Sequence, residues 1–113
     1  MAAFLALDNV PQPPQIECRV EASYADGGVH LRGRVSSAVD AAGHYWLEIN
    51  QIGGGGSATI AQAGAFQVKA QQRAFLGSAN LDAGPGMRLV ARFTVQASGK
   101  EKSCVAVREF SDE

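Results

Sequence analysis

A chain of 113 residues has room for one hydrophobic core, which excludes a two-domain enzyme built around an interdomain cleft. Hydrophobic residues at 46% and charged residues at 19% are the proportions of a globular protein and not of a disordered tail. Ten Lys and Arg against eleven Asp and Glu leave a formal charge of −1, which offers no global positive field for gripping nucleic acid.

Met1 to Leu7 is the longest strongly apolar stretch, far short of the roughly 20 residues that span a bilayer, so no membrane insertion is expected. It lacks the basic start and length of a whole signal peptide. Those residues end in Val10-Pro11-Gln12-Pro13-Pro14, whose prolines lack N–H donors and favour an extended, unpaired backbone. They read as an N-terminal tail, followed by a single domain over residues 15–110 and a short tail over 111–113.

Within the domain, Ile16, Cys18, Val20 and Ala22 alternate with Gln15, Glu17, Arg19 and Glu21, the period-two signature of a half-buried strand. Ala25-Asp26-Gly27-Gly28 is a turn signal, and the next strand places Val29, Leu31, Gly33 and Val35 inward with His30, Arg32, Arg34 and Ser36 outward, forming a hairpin with the first. Tyr45, Leu47 and Ile49 alternate with Trp46, Glu48 and Asn50 in a third strand that ends at Gly53 to Gly56. A register slip at Gly43 would exchange the faces of Tyr45 and Trp46.

The pattern resumes with Ala58 and Ile60, breaks at Gln62 and Gly64, and returns with Phe66 and Val68. A bend or bulge is therefore expected at Gly64, with Gly64→Val destabilising. Phe75, Leu76 and Leu81 mark a weaker fifth strand. Met87, Leu89, Ala91, Phe93 and Val95 alternate with Arg88, Val90, Arg92 and Thr94 in a clear sixth. After a turn at Ala97-Ser98-Gly99-Lys100, Ser103 to Phe110 reads as a closing strand with both faces partly covered. No apolar spacing sustains a helix. The fold class is all-β, an immunoglobulin-like sandwich of about seven antiparallel strands in two sheets, with a small barrel as the alternative.

Two histidines, His30 and His44, stand outside any metal or nucleophile motif, and Asp26, Asp40 and Asp82 are placed for turn hydrogen bonding. Gly53 to Gly56 lacks the Lys-Ser or Lys-Thr and the helix of a phosphate loop and reads as a hairpin connection. Catalytic residues, cofactors and metals are accordingly expected to be none. Cys18 and Cys104, 86 positions apart, fit neither a CxxC pair nor a zinc site, and the spacing leaves a disulfide and two free thiols equally open.

The distribution of charge is more informative. Setting aside Asp8, Glu109, Asp112 and Glu113 at the ends, ten basic residues meet seven acidic ones in the body. Arg32 and Arg34 lie on an outward row of the second strand, beside Arg19 on the first, and Arg88 and Arg92 on an outward row of the sixth. Outward arginine can simply keep a sheet soluble; it can also form a docking surface for an acidic or polar extended chain. Trp46, outward on the alternation, is a candidate anchor for the same purpose.

The succession Cys18-Arg19-Val20, Leu31-Arg32-Gly33-Arg34-Val35, Gly43-His44-Tyr45-Trp46-Leu47, Ser57-Ala58-Thr59-Ile60-Ala61-Gln62-Ala63-Gly64-Ala65-Phe66 and the late Cys104 resembles the CsgH branch of the CsgC-like curli chaperones. The resemblance covers about residues 16–108, and Ser57, Ile60, Gln62, Gly64 and Phe66 are its most specific part. It implies a monomeric, non-enzymatic periplasmic protein of immunoglobulin-like fold that holds back the amyloid assembly of disordered curli subunits. The other branch carries a Cys-x-Cys pair; here Cys18 is flanked by Glu17 and Arg19 and Cys104 is remote, which favours a structural Cys18–Cys104 disulfide over a redox role. No client-binding residue is carried over from the family. Arg32, Arg34, Arg88, Arg92 and Trp46 are the candidates from the pattern alone. The alternative function is a structural or adhesion-type sandwich subunit that binds partners through an exposed strand edge.

Overall fold

The computed structural model describes residues 16–53, 56–82 and 84–110 and contains seven antiparallel strands with no helix among them. They are β1 (Ile16–Ala25), β2 (Gly28–Ser37), β3 (Ala41–Gly53), β4 (Gly56–Val68), β5 (Arg73–Asp82), β6 (Arg88–Ala97) and β7 (Lys100–Glu109). A three-stranded sheet in the order β1-β2-β5 packs on a four-stranded sheet in the order β4-β3-β6-β7, giving the expected sandwich. The tails expected at residues 1–14 and 111–113 lie outside the described residues.

The tight turns follow from residues that tolerate a left-handed backbone. Asp26 (φ 54°) and Gly27 (φ 76°) join β1 to β2, and Ser98 (φ 54°) and Gly99 (φ 73°) join β6 to β7. This is the geometry that matches the natural twist of a two-residue hairpin. Between the sheets, Leu31, Val29 and Val35 of β2 meet Leu47 and Ile49 of β3 and Leu89, Phe93 and Val95 of β6, all essentially inaccessible to solvent. Gly33 is on the inward row because Phe93 needs its space: a Cβ there would stand 2.6 Å from the ring.

The two flanks of the sandwich are fastened differently. On one flank the edge strands β1 and β7 are joined by a Cys18–Cys104 disulfide, with a Cα–Cα distance of 6.0 Å. On the other flank β4 lies beside β5. There the Gln62 side chain donates from Nε2 to the Ser78 carbonyl (2.7 Å) and accepts at Oε1 from the Ser78 N–H (2.9 Å). One side-chain amide thus satisfies both backbone groups of a residue on the opposite sheet.

This contact corrects the expectation of a bend at Gly64. β4 runs unbroken against β3, with Gln62 opposite Leu47 and Gly64 opposite Tyr45, and Gly64 has no left-handed φ. The irregularity is in β5. The β2–β5 register shifts between Arg32, opposite Ser78, and Gly33, opposite Leu76, leaving Gly77 (φ 71°) as the extra residue of a bulge. Gln62 departs from the apolar pattern because its amide reaches that bulge, and Gly64 leaves room for the Tyr45 ring.

Two further differences concern the strand faces. β3 begins at Ala41, earlier than the Tyr45 of the large-residue alternation, since Ala41 and Gly43 continue the inward row with small side chains. In β7 Cys104 and Ala106 turn inward, but Val105 (54% exposed) and Val107 (40%) stand on an open outer face, so both faces are not covered.

Candidate functional site

Register decides which charges become neighbours. On the outer face of the three-stranded sheet, Arg19 of β1 lies opposite Arg34 of β2, which lies opposite Phe75 of β5. One step along, Glu21 is opposite Arg32 and Arg32 opposite Ser78. Both arginines of β2 converge on the single carboxylate. Arg32 donates from Nε to Glu21 Oε1 (3.1 Å) and Arg34 from Nη1 to Oε2 (2.9 Å). The Arg32 guanidinium also lies over the Phe75 ring, 3.8 Å from its centroid. Arg19 and Arg73 extend the basic rows and make no ion pair among the described residues.

The outward rows of this sheet set Arg19, Arg32, Arg34 and Arg73 against Glu17, Glu21 and Asp82, which closes β5. Those of the four-stranded sheet set Arg88 and Arg92 against Glu48, Glu101 and Glu109. On the outward rows alone the arginine surplus belongs to the smaller sheet, while the further exposed cations Lys100, Lys102 and Arg108 lie on the edge strand β7 of the larger one. Glu109, set aside above as a terminal charge, lies within β7 and accepts from Arg88 Nε at 3.1 Å, so ten basic residues meet eight acidic ones in the described body. Arg92 lies between Glu48 and Val105 without an ion pair among the described residues.

The five candidate client-binding residues consequently do not form one surface. Arg32 and Arg34 are on the outer face of one sheet, and Arg88, Arg92 and Trp46 on the opposite outer face of the other. Trp46 is outward and 43% exposed, so the register slip at Gly43 does not occur. Its direct cross-strand neighbours Ala63 and Thr94 are uncharged, and the oppositely charged Glu48 and Arg92 face each other one step along the same outer face. Sequence reasoning missed Phe75 as an outward group beneath Arg32 because the bulge at Gly77 hides which residues of β5 point outward. It also missed Glu21 as the clasp of Arg32 and Arg34, although the hairpin turn fixes their register.

His30 shares a 2.7 Å hydrogen bond between Nδ1 and Asn80 Oδ1, and His44 is an exposed residue inside β3. Asp40 accepts from the Ala70 N–H (2.8 Å), a backbone group 30 residues away across the open end of the β3–β4 hairpin and not the local turn contact expected of it. Among the described residues no three His, Cys, Asp or Glu are grouped to hold a metal ion.

Residues 17–106 match the family described as CsgH protein. The chain belongs to the CsgH family. It is similar to the solution structure of CsgH from R. palustris, with 36% identity over 80% of this chain and 89% of that one and a TM-score of 0.69. The curli protein CsgC of E. coli shares the fold at 14% identity (TM-score 0.71; 80% of this chain, 96% of that one). So does the sporulation control protein Spo0M of Bacillus subtilis at 9% identity (TM-score 0.55; 88% and 50%). No match is found among curated protein sequences.

Proposed function

We propose that this CsgH-family protein is a periplasmic chaperone-like inhibitor of curli-subunit amyloid formation, and that it meets the unfolded subunit through weak, electrostatically guided contacts. The observation that carries the reading is the arginine surplus around Glu21. One carboxylate is already shared by two guanidinium groups, and Arg19 and Arg73 beside them retain planar donor forks suited to carboxylates and side-chain amides. Phase change of a disordered chain into amyloid needs identical strands to stack in register, and transient occupation of the chain by a charged face lowers the number of chains available for nucleation. The fold likeness to the E. coli curli protein CsgC supports the choice of client. The Cys18–Cys104 bond supports an oxidising compartment.

On this reading the protein works as a monomer and not as an enzyme. The direct test is a time course of curli-subunit fibril formation with this protein present below one-to-one stoichiometry. A lengthened lag supports the proposal, and an unchanged lag with the protein folded contradicts it. The alternative of a structural or adhesion-type subunit predicts stable self-association or a stable partner complex, which size measurement reads independently.

A further inference from the structure

The sandwich has four edge strands, and three of them carry devices that discourage further pairing. β1 bears Glu17, Arg19 and Glu21, β7 bears Lys100, Glu101, Lys102, Arg108 and Glu109, and the disulfide ties these two together. β5 is broken by the bulge at Gly77, and the backbone groups of Ser78 are occupied by Gln62. Charges and bulges of this kind are how sheet proteins blunt their edges. β4 has none of them. Its 13 residues, Gly56–Val68, include no charged residue and no proline, and it pairs in an unshifted ladder with β3 alone. The outward row Thr59, Ala61, Ala63 and Ala65 consists of small neutral side chains.

We infer that the free edge of β4 is a strand-acceptor site, and that its occupant is an uncharged extended segment of the amyloid-forming client; this rests on the function proposed above. Unpaired backbone N–H and C=O groups specify an extended strand as the ligand, because only a strand repeats its own groups at the matching interval. The absence of charge along β4 removes any partner for a charged ligand row, while the small outward side chains admit a neutral strand at ladder spacing. The asymmetry of the four-stranded sheet supplies a mechanism. A client strand adds at β4, but β7 at the far edge is charged and disulfide-tethered, so the ladder cannot continue through the sheet. The protein then acts as a terminator of β-stacking, with the arginine face of the other sheet raising the rate of encounter.

The probe is a short capped peptide alternating glutamine and valine, titrated into the isotope-labelled full chain while backbone amides are followed by NMR and hydrogen exchange. Gain of protection along residues 57–67 supports the inference, as does its loss in Ala61→Lys/Ala65→Lys with retention in Arg19→Gln/Arg73→Gln. Protection confined to the arginine rows, or none, overturns it. Sedimentation showing that the chain pairs with a second copy through β4 also overturns it, by giving the edge another occupant. Fibril time courses separate the two readings. A parent protein that binds the peptide at β4 yet leaves fibril formation unchanged sinks the proposed function and keeps the edge. An Ala61→Lys/Ala65→Lys variant that delays fibrils as well as the parent sinks the edge and keeps the function.

Discussion

Substituting Gly77 by alanine tests the joint between the sheets at its most constrained point. Its φ of 71° is left-handed, a conformation that costs a residue with a Cβ about 1–2 kcal/mol. The added Cβ stands 2.9 Å from Gln62 Oε1 and 3.0 Å from Leu47 Cδ2. Leu47 is in the core, so Gln62 is the group that withdraws, and its lost bonding to Ser78 adds about 0.5–1.5 kcal/mol. The sum of about 1.5–3.5 kcal/mol lowers the thermal midpoint by roughly 7–18 °C in a domain of this size. Gly64→Ala is the control. Its backbone needs no rearrangement, its Cβ meets the Tyr45 side chain with Cε1 nearest at 3.1 Å, and the lost freedom of the unfolded chain offsets part of that contact. The net change is within about 1 kcal/mol of the parent. Urea unfolding monitored by Trp46 fluorescence and circular dichroism measures both, and Gln62→Ala/Gly77→Ala is expected to cost less than the two single changes added together. If Gly64→Ala proves as costly as Gly77→Ala, the assignment of the irregularity to β5 is wrong.

Other expectations follow from the same geometry. Cys18→Ser/Cys104→Ser opens a loop of 86 residues and removes about 4–5 kcal/mol on the chain-entropy account, measured as a lowered urea midpoint against the oxidised parent. Phe93→Ala empties the centre of the core and costs about 3–5 kcal/mol, read in the same assay. Arg32→Glu/Arg34→Glu brings three carboxylates together at Glu21 and lowers the thermal midpoint, whereas Arg19→Glu/Arg73→Glu, which breaks no ion pair, changes stability by no more than about 0.5 kcal/mol and leaves the midpoint nearly unmoved. Equal midpoints for the two charge reversals would show that Glu21 does not clasp the pair in solution.

The alternation of Val29, Leu31 and Val35, and of Leu89, Phe93 and Val95, was readable because a two-residue period has no competing interpretation in segments bounded by turns. The hairpin residues Asp26-Gly27 and Ser98-Gly99 were readable for the same local reason. Gln62 was not, since the group that explains it, the Ser78 backbone, belongs to the other sheet and is exposed there by a bulge at Gly77. The disulfide was open on spacing, because a separation of 86 positions does not reveal that β1 and β7 are adjacent edges. The candidate site was legible as outward arginine and an outward Trp46, with two sheet faces and one continuous flank equally open. Which rows share a sheet depends on the strand order, and strand order is set by how both sheets pack.

The measurement that bears most directly on the central claim is the curli-subunit fibril lag across a salt series, with buffer-matched client controls at each salt level. The parent is compared with Arg19→Gln/Arg73→Gln and with Arg88→Gln/Arg92→Gln. Exposed charges are screened beyond about 8–10 Å at physiological ionic strength, so a charge-guided contact weakens as salt rises. The lag produced by the parent should shorten with salt, and the Arg19→Gln/Arg73→Gln protein should delay fibrils less than the Arg88→Gln/Arg92→Gln protein at low salt. A delay that is the same for all three proteins at low and high salt would contradict the electrostatic account.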